Sequence, residues 1–437
     1  MKPAIRGRRA VVAALAAAAV AGPLLTASAG AGATGPSFRA YAPPPGLARY
    51  GAGEPTLGIH PRTGAILVQA SVRTLRLTGA GTRRPQWRDV TPTNAVMLGS
   101  LDPLIEMSAT TGRAWVSHLN GACSLMAYSD DAGSNWTDVP LGCGAGAMYD
   151  HQALGAGPGV LYYCAHDLLA ANCATSADGG DTFRPAVPAW TTAYCGAPHG
   201  HVTVAADGTA YLPPIACFDN AAATAVTEDG GLTWRMSRVP GGTMGGDAGN
   251  PSVGVGAGGA AYLAWGGRVD GGFRPQVAVT RDRGRTWSRP AVLGRGHGVV
   301  NTRFVSAVAG DDDRAAVSFL GSRTPGDAGA EGFAGTWSLY VALTYDGGRT
   351  WRTYDALPSR PVHRGGVCLM GMACPGRARV LLDFADLAID AAGRVVAVVA
   401  SSCRDPRCTS VATDSGGTNP VVVRQEAGAL LRRRPAR

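Results

Sequence analysis

Lysine is almost missing from this chain: Lys2 is the only one among 437 residues. Chemistry that needs a lysine beyond the N-terminus, such as a Schiff base or the lysine of a phosphate-binding loop, is therefore excluded. Long apolar runs are scarce too. The run at 10–21 is too short to span a bilayer, and no other stretch is long enough for a membrane span. Charge of one sign is concentrated at the ends. The formal net charge is +9, and removing residues 1–29 takes away four positive charges and no negative one, leaving +5. Arg432, Arg433, Arg434 and Arg437 carry four more at the C-terminus. The body is close to neutral, which argues against a nucleic-acid partner.

The N-terminus has the layout of an export signal. Lys2, Arg6, Arg8 and Arg9 precede the apolar run, and Ala27-Ser28-Ala29 offers a small-residue cleavage site near Ala29. Arg8-Arg9 followed by Ala10-Val11-Val12 suits a twin-arginine route as well as the general secretory one. The expected division is a signal at 1–29, a linker at 30–45, one folded domain at 46–426 and a basic disordered tail at 427–437. Ten cysteines in an exported chain predict disulfides, and none of the pairs repeats a zinc-ribbon spacing.

Within the domain, nearly the same eight residues are written five times. Ser129-x-Asp131-x-Gly133-x-Asn135-Trp136 is followed by Ser176-x-Asp178-x-Gly180-x-Thr182-Phe183 and Thr227-x-Asp229-x-Gly231-x-Thr233-Trp234. Thr280-x-Asp282-x-Gly284-x-Thr286-Trp287 and Thr344-x-Asp346-x-Gly348-x-Thr350-Trp351 complete the set. The aspartates are 47, 51, 53 and 64 residues apart, the spacing of one repeating propeller blade. A hydroxyl and a carboxylate two residues apart can both bond the backbone of a tight turn. The glycine supplies a conformation that a side chain would strain, and the aromatic can wedge between sheets. Each box therefore reads as a structural hairpin turn. A calcium loop is the alternative, but one certain carboxylate per box falls short of the six or more oxygens a hard cation takes.

The box resembles the Asp-box, or BNR, repeat of the sialidase-like β-propellers. That resemblance covers most of the chain beyond residue 40. It implies that the box joins the third and fourth strands of each blade, on the face opposite the active site. The family holds glycoside hydrolases but also lectin-like, receptor-like and assembly-factor propellers, so the box speaks for fold and not for chemistry.

Gly-rich turns followed by apolar strands recur seven times, at 61–64, 109–112, 157–159, 206–208, 257–259, 310–313 and 391–393. The expected fold is all-β: a propeller of seven four-stranded antiparallel blades, with six blades as the alternative. Two degraded boxes complete the count, one at 78–87 and one as Thr413-x-Ser415-x-Gly417-x-Asn419-Pro420. The boxes and the Gly turns share one face. All ten cysteines map to the other, with nearest-neighbour pairs 123–143, 164–173, 195–217, 368–374 and 403–408 expected: Cys123 with Cys143, Cys164 with Cys173, Cys195 with Cys217, Cys368 with Cys374, and Cys403 with Cys408. So do His118, His151, His166, His199, His201, His297 and His363.

The starts of the innermost strands are polar. Glu54, Asp102, Asp150, His151, His199, His201, Asn250, Arg303 and Asp383 are expected to ring the mouth of the central channel, the default ligand site of such a fold. A sialidase needs three arginines, a tyrosine nucleophile with its glutamate, and an aspartic acid/base. Here Phe38-Arg39-Ala40-Tyr41 lacks the Ile-Pro that follows the family's first arginine, Arg303 suits a second, and no Tyr–Glu pair identifies itself. The leading expectation is a secreted, monomeric propeller that binds a carbohydrate or cell-surface polymer and needs no cofactor. The alternative is an exo-glycosidase using Glu54, Asp102 and Asp150. A second alternative is a divalent-metal site built from His151, His199 and His201 with Asp150.

Overall fold

The computed structural model describes Met1 and residues 35–47, 51–93, 101–120, 123–143, 150–245 and 249–433. The export signal expected at 1–29, apart from Met1, lies outside them. Seven antiparallel sheets follow one another along residues 35–433. The fold is an all-β, seven-bladed propeller, so seven blades hold and not six. The only helices among the described residues are 3-10 turns of three or four residues. None is long and apolar enough to cross a membrane.

Six blades are built from consecutive strands, innermost first. Their inner strands are Thr56–Ile59, Leu101–Met107, Asp150–Gly157, Thr203–Val204, Ser252–Val255 and Asn301–Ala309. The seventh starts at Asp386–Ile389, continues through Val395–Ser401 and Asn419–Ala427, and takes its outer strand from the other end of the chain, Ser37–Tyr41. Phe38 pairs with Gln425 and Tyr41 with Val422. The expected linker at 30–45 therefore contributes a strand. Its alternation of exposed and half-buried residues is that of an edge strand covered on one face. The cores lie between blades. Val395–Ser401 and Ala315–Ser322 are buried along their whole length, as second strands sandwiched by neighbouring sheets must be.

Every complete box joins the third strand of a blade to the fourth, and every Gly turn joins the first to the second. In the box at Asp229, the Thr227 hydroxyl donates to Oδ1 (2.8 Å) and accepts the Gly231 N–H (3.0 Å). Oδ1 also accepts the Thr233 N–H at 3.0 Å, and Oδ2 the Thr233 hydroxyl at 2.5 Å. The same pattern recurs at Asp131, Asp178, Asp282 and Asp346. Each box glycine has positive φ, and a Cβ on Gly133 would lie 2.8 Å from Val90 of the preceding blade. The closing tryptophans do wedge between sheets: Trp136 donates to Val90 O at 2.7 Å and Trp287 to Ser237 Oγ at 2.8 Å. These bonds hold Asp282 down at about 2. Asp229→Ala and Asp282→Ala should each cost about 1–3 kcal/mol, several net hydrogen bonds' worth. Ligand binding on the far face should not change. Thermal melts alongside a binding assay check this, and a variant with normal melting but no binding would refute the structural role.

Two expectations need correction. The degraded box at 413–420 is not a third-to-fourth turn. It lies between the second and third strands of the seventh blade, on the opposite face, where Asp414 caps the 3-10 turn Ser415–Gly417. No such turn is needed there, because Ser37–Tyr41 fills the fourth place. The tail expected as disordered is docked as far as Arg433. Leu431 is fully buried, its N–H donates to Gly393 O and its carbonyl accepts from Asp311 N, both at 2.8 Å. Arg433 pairs with Asp311 and Asp313. Residues 434–437 lie outside the described residues.

Four disulfides stand among the described residues: Cys164–Cys173, Cys195–Cys217, Cys368–Cys374 and Cys403–Cys408. Cys123 is disulfide-bonded and faces Cys143 across two strands; the side chain of Cys143 is outside the described residues.

Candidate functional site

Around the channel, polar side chains of one inner strand reach the backbone of the next. Thr56 Oγ1 accepts from Ile105 N (2.8 Å), Ser252 Oγ from Ala307 N (3.0 Å) and Asp386 Oδ2 from Leu57 N (3.0 Å). Glu106 Oε1 accepts from Ala156 N at 3.3 Å, and Thr203 donates to Val253 O at 2.8 Å. Burial pushes Glu106 up to about 8 and Asp386 to about 6. These two carboxyl groups line a channel cavity of about 280 Å³ together with His201 and Arg432. They tie blades together and are not part of the mouth.

The mouth is shaped by a backbone irregularity that recurs from blade to blade. Glu54, Asp102, His151, Phe304 and Leu382 all sit at φ between 48° and 59°, and Gly249 at 72°. The strand register shifts at three of these places, between Leu101 and Leu104, Asp150 and Ala153, and Arg303 and Ser306. An extra residue in the left-handed region costs roughly 1–3 kcal/mol and re-aims the side chains around it. Here it turns polar groups at the strand starts toward the axis.

Four carboxyl groups from four blades meet there. The His151 N–H donates to both Asp102 Oδ2 (3.1 Å) and Asp150 Oδ1 (3.0 Å). Asp102 and Asp150 are also hydrogen-bonded to each other, as are Glu54 and Asp383. Arg379 forks onto Asp383, with Nη2 2.6 Å from Oδ2. Burial, then the charges of Asp102 and Asp383, push Glu54 well above the usual carboxyl range. Burial, then the bond to Asp150 and its charge, bring Asp102 up to about 8. Burial alone would raise Asp150 as well. The Asp102 hydroxyl and the neighbouring imidazoles outweigh it and hold Asp150 low. At neutral pH Asp102 thus keeps its proton beside an ionised Asp150.

Imidazoles complete the rim. The rings of His151, His166 and His199 lie 5.7–6.4 Å apart, with Trp190 edge-on to His199. His166 Nε2 is 3.9 Å from Asp150 Oδ2, and His151 Nε2 donates to Asn250 Oδ1 at 3.2 Å. His201 packs edge-on against Phe384 at 4.9 Å. Burial lowers His151 and His166, takes His199 well below the ordinary value, and brings His201 to about 3, so the rings are neutral. His199 Nε2, His201 Nε2 and Asn250 Nδ2 are buried and have no hydrogen-bond partner among the described residues. They are the groups that a ligand or its waters would satisfy.

The described contacts of Arg303 lie to one side of this cluster. Its Nε donates to Val367 O (2.9 Å) and its Nη1 to Thr302 O (3.0 Å), and its guanidinium lies over Phe273. It lines an adjoining cleft of about 400 Å³ with Arg268, Asn301 and Asp327. Arg39 is on the outer strand of the seventh blade, bonded to Thr82 O, and is no part of the mouth. Among the described residues no group of three or more His, Cys, Asp or Glu stands where it could hold a metal. Of the imidazole set expected for that role, His151 Nε2 bonds Asn250 and His199 Nδ1 bonds Gly200 O at 2.9 Å, while His199 Nε2 and His201 Nε2 have no partner among the described residues. Sequence reasoning missed Arg379 and the pairing of the carboxyls. Arg379 comes from the long insertion before the seventh blade, where nothing in the repeat marks it.

No protein-family model matches the chain, and no curated protein matches it. Solved structures do resemble it in shape. A protein of unknown function from Dyadobacter fermentans is 12% identical, covers 90% of this chain and 99% of its own, and has a TM-score of 0.48. YCF48 from Cyanidioschyzon merolae is 13% identical over 89% and 98%, at 0.49. The GH74 enzyme of Niastella koreensis is 15% identical over 84% of this chain and 54% of its own, at 0.48.

Proposed function

We propose that this is an exported, monomeric propeller that binds a carbohydrate or cell-surface polymer at the mouth of its channel. One observation carries the reading. Glu54, Asp102, Asp150 and Asp383 converge from four blades with Arg379 and neutral imidazoles, and buried Asn250 and histidine nitrogens there have no partner among the described residues. Asp102, near 8, can donate where Asp150, held low, accepts, within one small area. Vicinal hydroxyl groups, each a donor and an acceptor, fit that mixture better than an anion or a hydrophobe does. Four disulfides suit an oxidising compartment.

Hydrolysis is the second reading, and Asp102 favours it: a carboxyl group held near 8 can protonate a leaving oxygen. Against it, Asp102 and Asp150 are hydrogen-bonded to each other. A glycosidase pair instead flanks the bond at about 5–9 Å. The test is a glycan array and a fluorogenic sialoside, each with and without a chelator. Asp150→Ala and Asn250→Ala should lose binding while costing about 1–3 kcal/mol of stability at most, since each removes a bond to His151 but leaves the blade cores intact. Fluorophore release would replace binding with hydrolysis, and loss on chelation would restore a metal. Variants that only destabilise, with no glycan bound by the parent, would end the mouth reading.

A further inference from the structure

Seven large hydrophobic side chains are strongly exposed among the described residues, and four of them are together. Leu168 and Leu169 (73% each) form the tip of the tight connection between Val160–His166 and Ala170–Ser176. Tyr194 (63%) and Phe218 (71%) lie on the two loops that follow it around the same face. Backbone bonds join the three loops: Thr192 N donates to Leu169 O (2.8 Å) and Phe218 N to Tyr194 O (3.4 Å). Two disulfides pin them. Cys164–Cys173 closes the base of the leucine hairpin, and Cys195–Cys217 bridges the residues beside the two aromatics. Tight turns ordinarily carry polar residues. Two leucines at such a tip, next to two aromatics that no core covers, form a rigid apolar ledge.

The ledge is continuous with the mouth. His166, at the foot of the leucine hairpin, is 3.9 Å from Asp150. Trp190, in the strand Val187–Thr191 that leads into the loop of Tyr194, donates to Gly196 O (2.9 Å) and meets His199 edge-on. The loops that hold the imidazoles thus also present the ledge. Resting on the reading of the mouth as a sugar site, we infer that the ledge seats the sugar units following the one bound in the mouth. The ligand is then an extended saccharide chain and not a single terminal sugar. A pyranose chain has hydroxyl edges and C–H faces. The mouth offers partners for the first, and the ledge offers rings and aliphatic surface for the second. Because the disulfides fix the ledge beforehand, little ordering is left for binding to impose.

The test is calorimetric titration with cello-, chito- and manno-oligosaccharides of two and six units, using the whole mature chain. The parent should bind one hexamer at least about tenfold more tightly than its dimer, the contribution of two aromatic contacts. Tyr194→Ala with Phe218→Ala should erase that gain and leave dimer affinity within about twofold. Tyr194→Phe with Phe218→Tyr should keep it. Asp150→Ala should weaken dimer and hexamer alike. A hexamer bound no more tightly than its dimer would overturn the ledge and leave the mouth standing. So would a double-alanine variant that keeps the gain. Binding of no probe by the parent would remove the mouth reading and the ledge with it. Sedimentation that showed self-association of the parent, lost in the double-alanine variant, would assign the ledge to a second copy of the chain instead.

Discussion

A chain stopped after Ala427 should melt far below one stopped after Arg433. The removed residues look expendable by composition, since arginines dominate the last ten. Yet Leu431 is wholly buried in the largest apolar cluster of the molecule. Its backbone bridges Gly393 of the seventh blade and Asp311 of the sixth. Arg314 donates to Leu430 O at 2.7 Å, and Tyr345 to Ala429 O at 2.8 Å. Arg432 lines the end of the channel cavity that faces the boxes. A propeller ring is held shut at one seam. Here the seam is secured twice, by Ser37–Tyr41 pairing on Asn419–Ala427 and by this segment crossing to the neighbouring blade. Leu431→Ala alone should cost about 2–5 kcal/mol, the usual range for emptying a buried leucine site. The shorter chain should lose more, because the backbone and side-chain bonds of 428–433, those of Arg433 to Asp311 and Asp313 included, go as well. Calorimetric melting decides it. A chain ending at Ala427 that melts with the longer one would show the segment to be a passive appendage.

The sequence and the structure agree where information is local. A box needs only eight neighbouring residues to make its hydrogen bonds, so Asp131, Asp178, Asp229, Asp282 and Asp346 could be placed on turns, and their spacing gave the blades. The Gly turns are equally local. What escaped is long-range. Ser37–Tyr41 pairs with residues some 380 positions away in sequence, and nothing in Ser-Phe-Arg-Ala-Tyr points to that partner. The remnant at 413–420 matched the box by Ser, Thr and Gly spacing alone, a composition common to any loop. At the mouth, the strand starts showed which residues gather, but not that bulges at Asp102 and His151 would join Asp102 to Asp150. Arg303 fits the pattern by position, and its guanidinium bonds the Val367 and Thr302 carbonyls and lies over the Phe273 ring.

Asp102→Asn should raise stability in alkaline solution and, in the same experiment, separate binding from hydrolysis. Asp102 is held near 8 by burial and by Asp150, whereas an unfolded aspartic acid ionises at about 3.9. Between those values the native state keeps a proton that the unfolded chain gives up. Stability therefore falls as pH rises through the window and levels off above about 8. Glu106, also near 8, acts with the same sign. The buried imidazoles act oppositely. His118 and His363 at about 4 and His201 at about 3 take up protons in the unfolded chain first, so stability is lost as pH falls below about 6.5. The parent should be most stable near about pH 6–7. Asparagine cannot ionise, can accept from His151 N and donate to Asp150 as the protonated acid does, and tolerates the left-handed φ of 48° at this position. The variant should gain about 1–3 kcal/mol at pH 9 and nothing at pH 4, a discount on the full shift because Asp150 shares the proton. If the mouth only binds, affinity should survive the substitution and persist at pH 9, where the parent begins to weaken. If Asp102 is a general acid, turnover should fall by about 10²–10⁴-fold while binding remains, since an amide has no proton to give the leaving oxygen. A variant that is destabilised at pH 9 would mean that Asp102 ionises in the native protein well below 8, and the proton-sharing pair at the centre of the mouth would have to be abandoned.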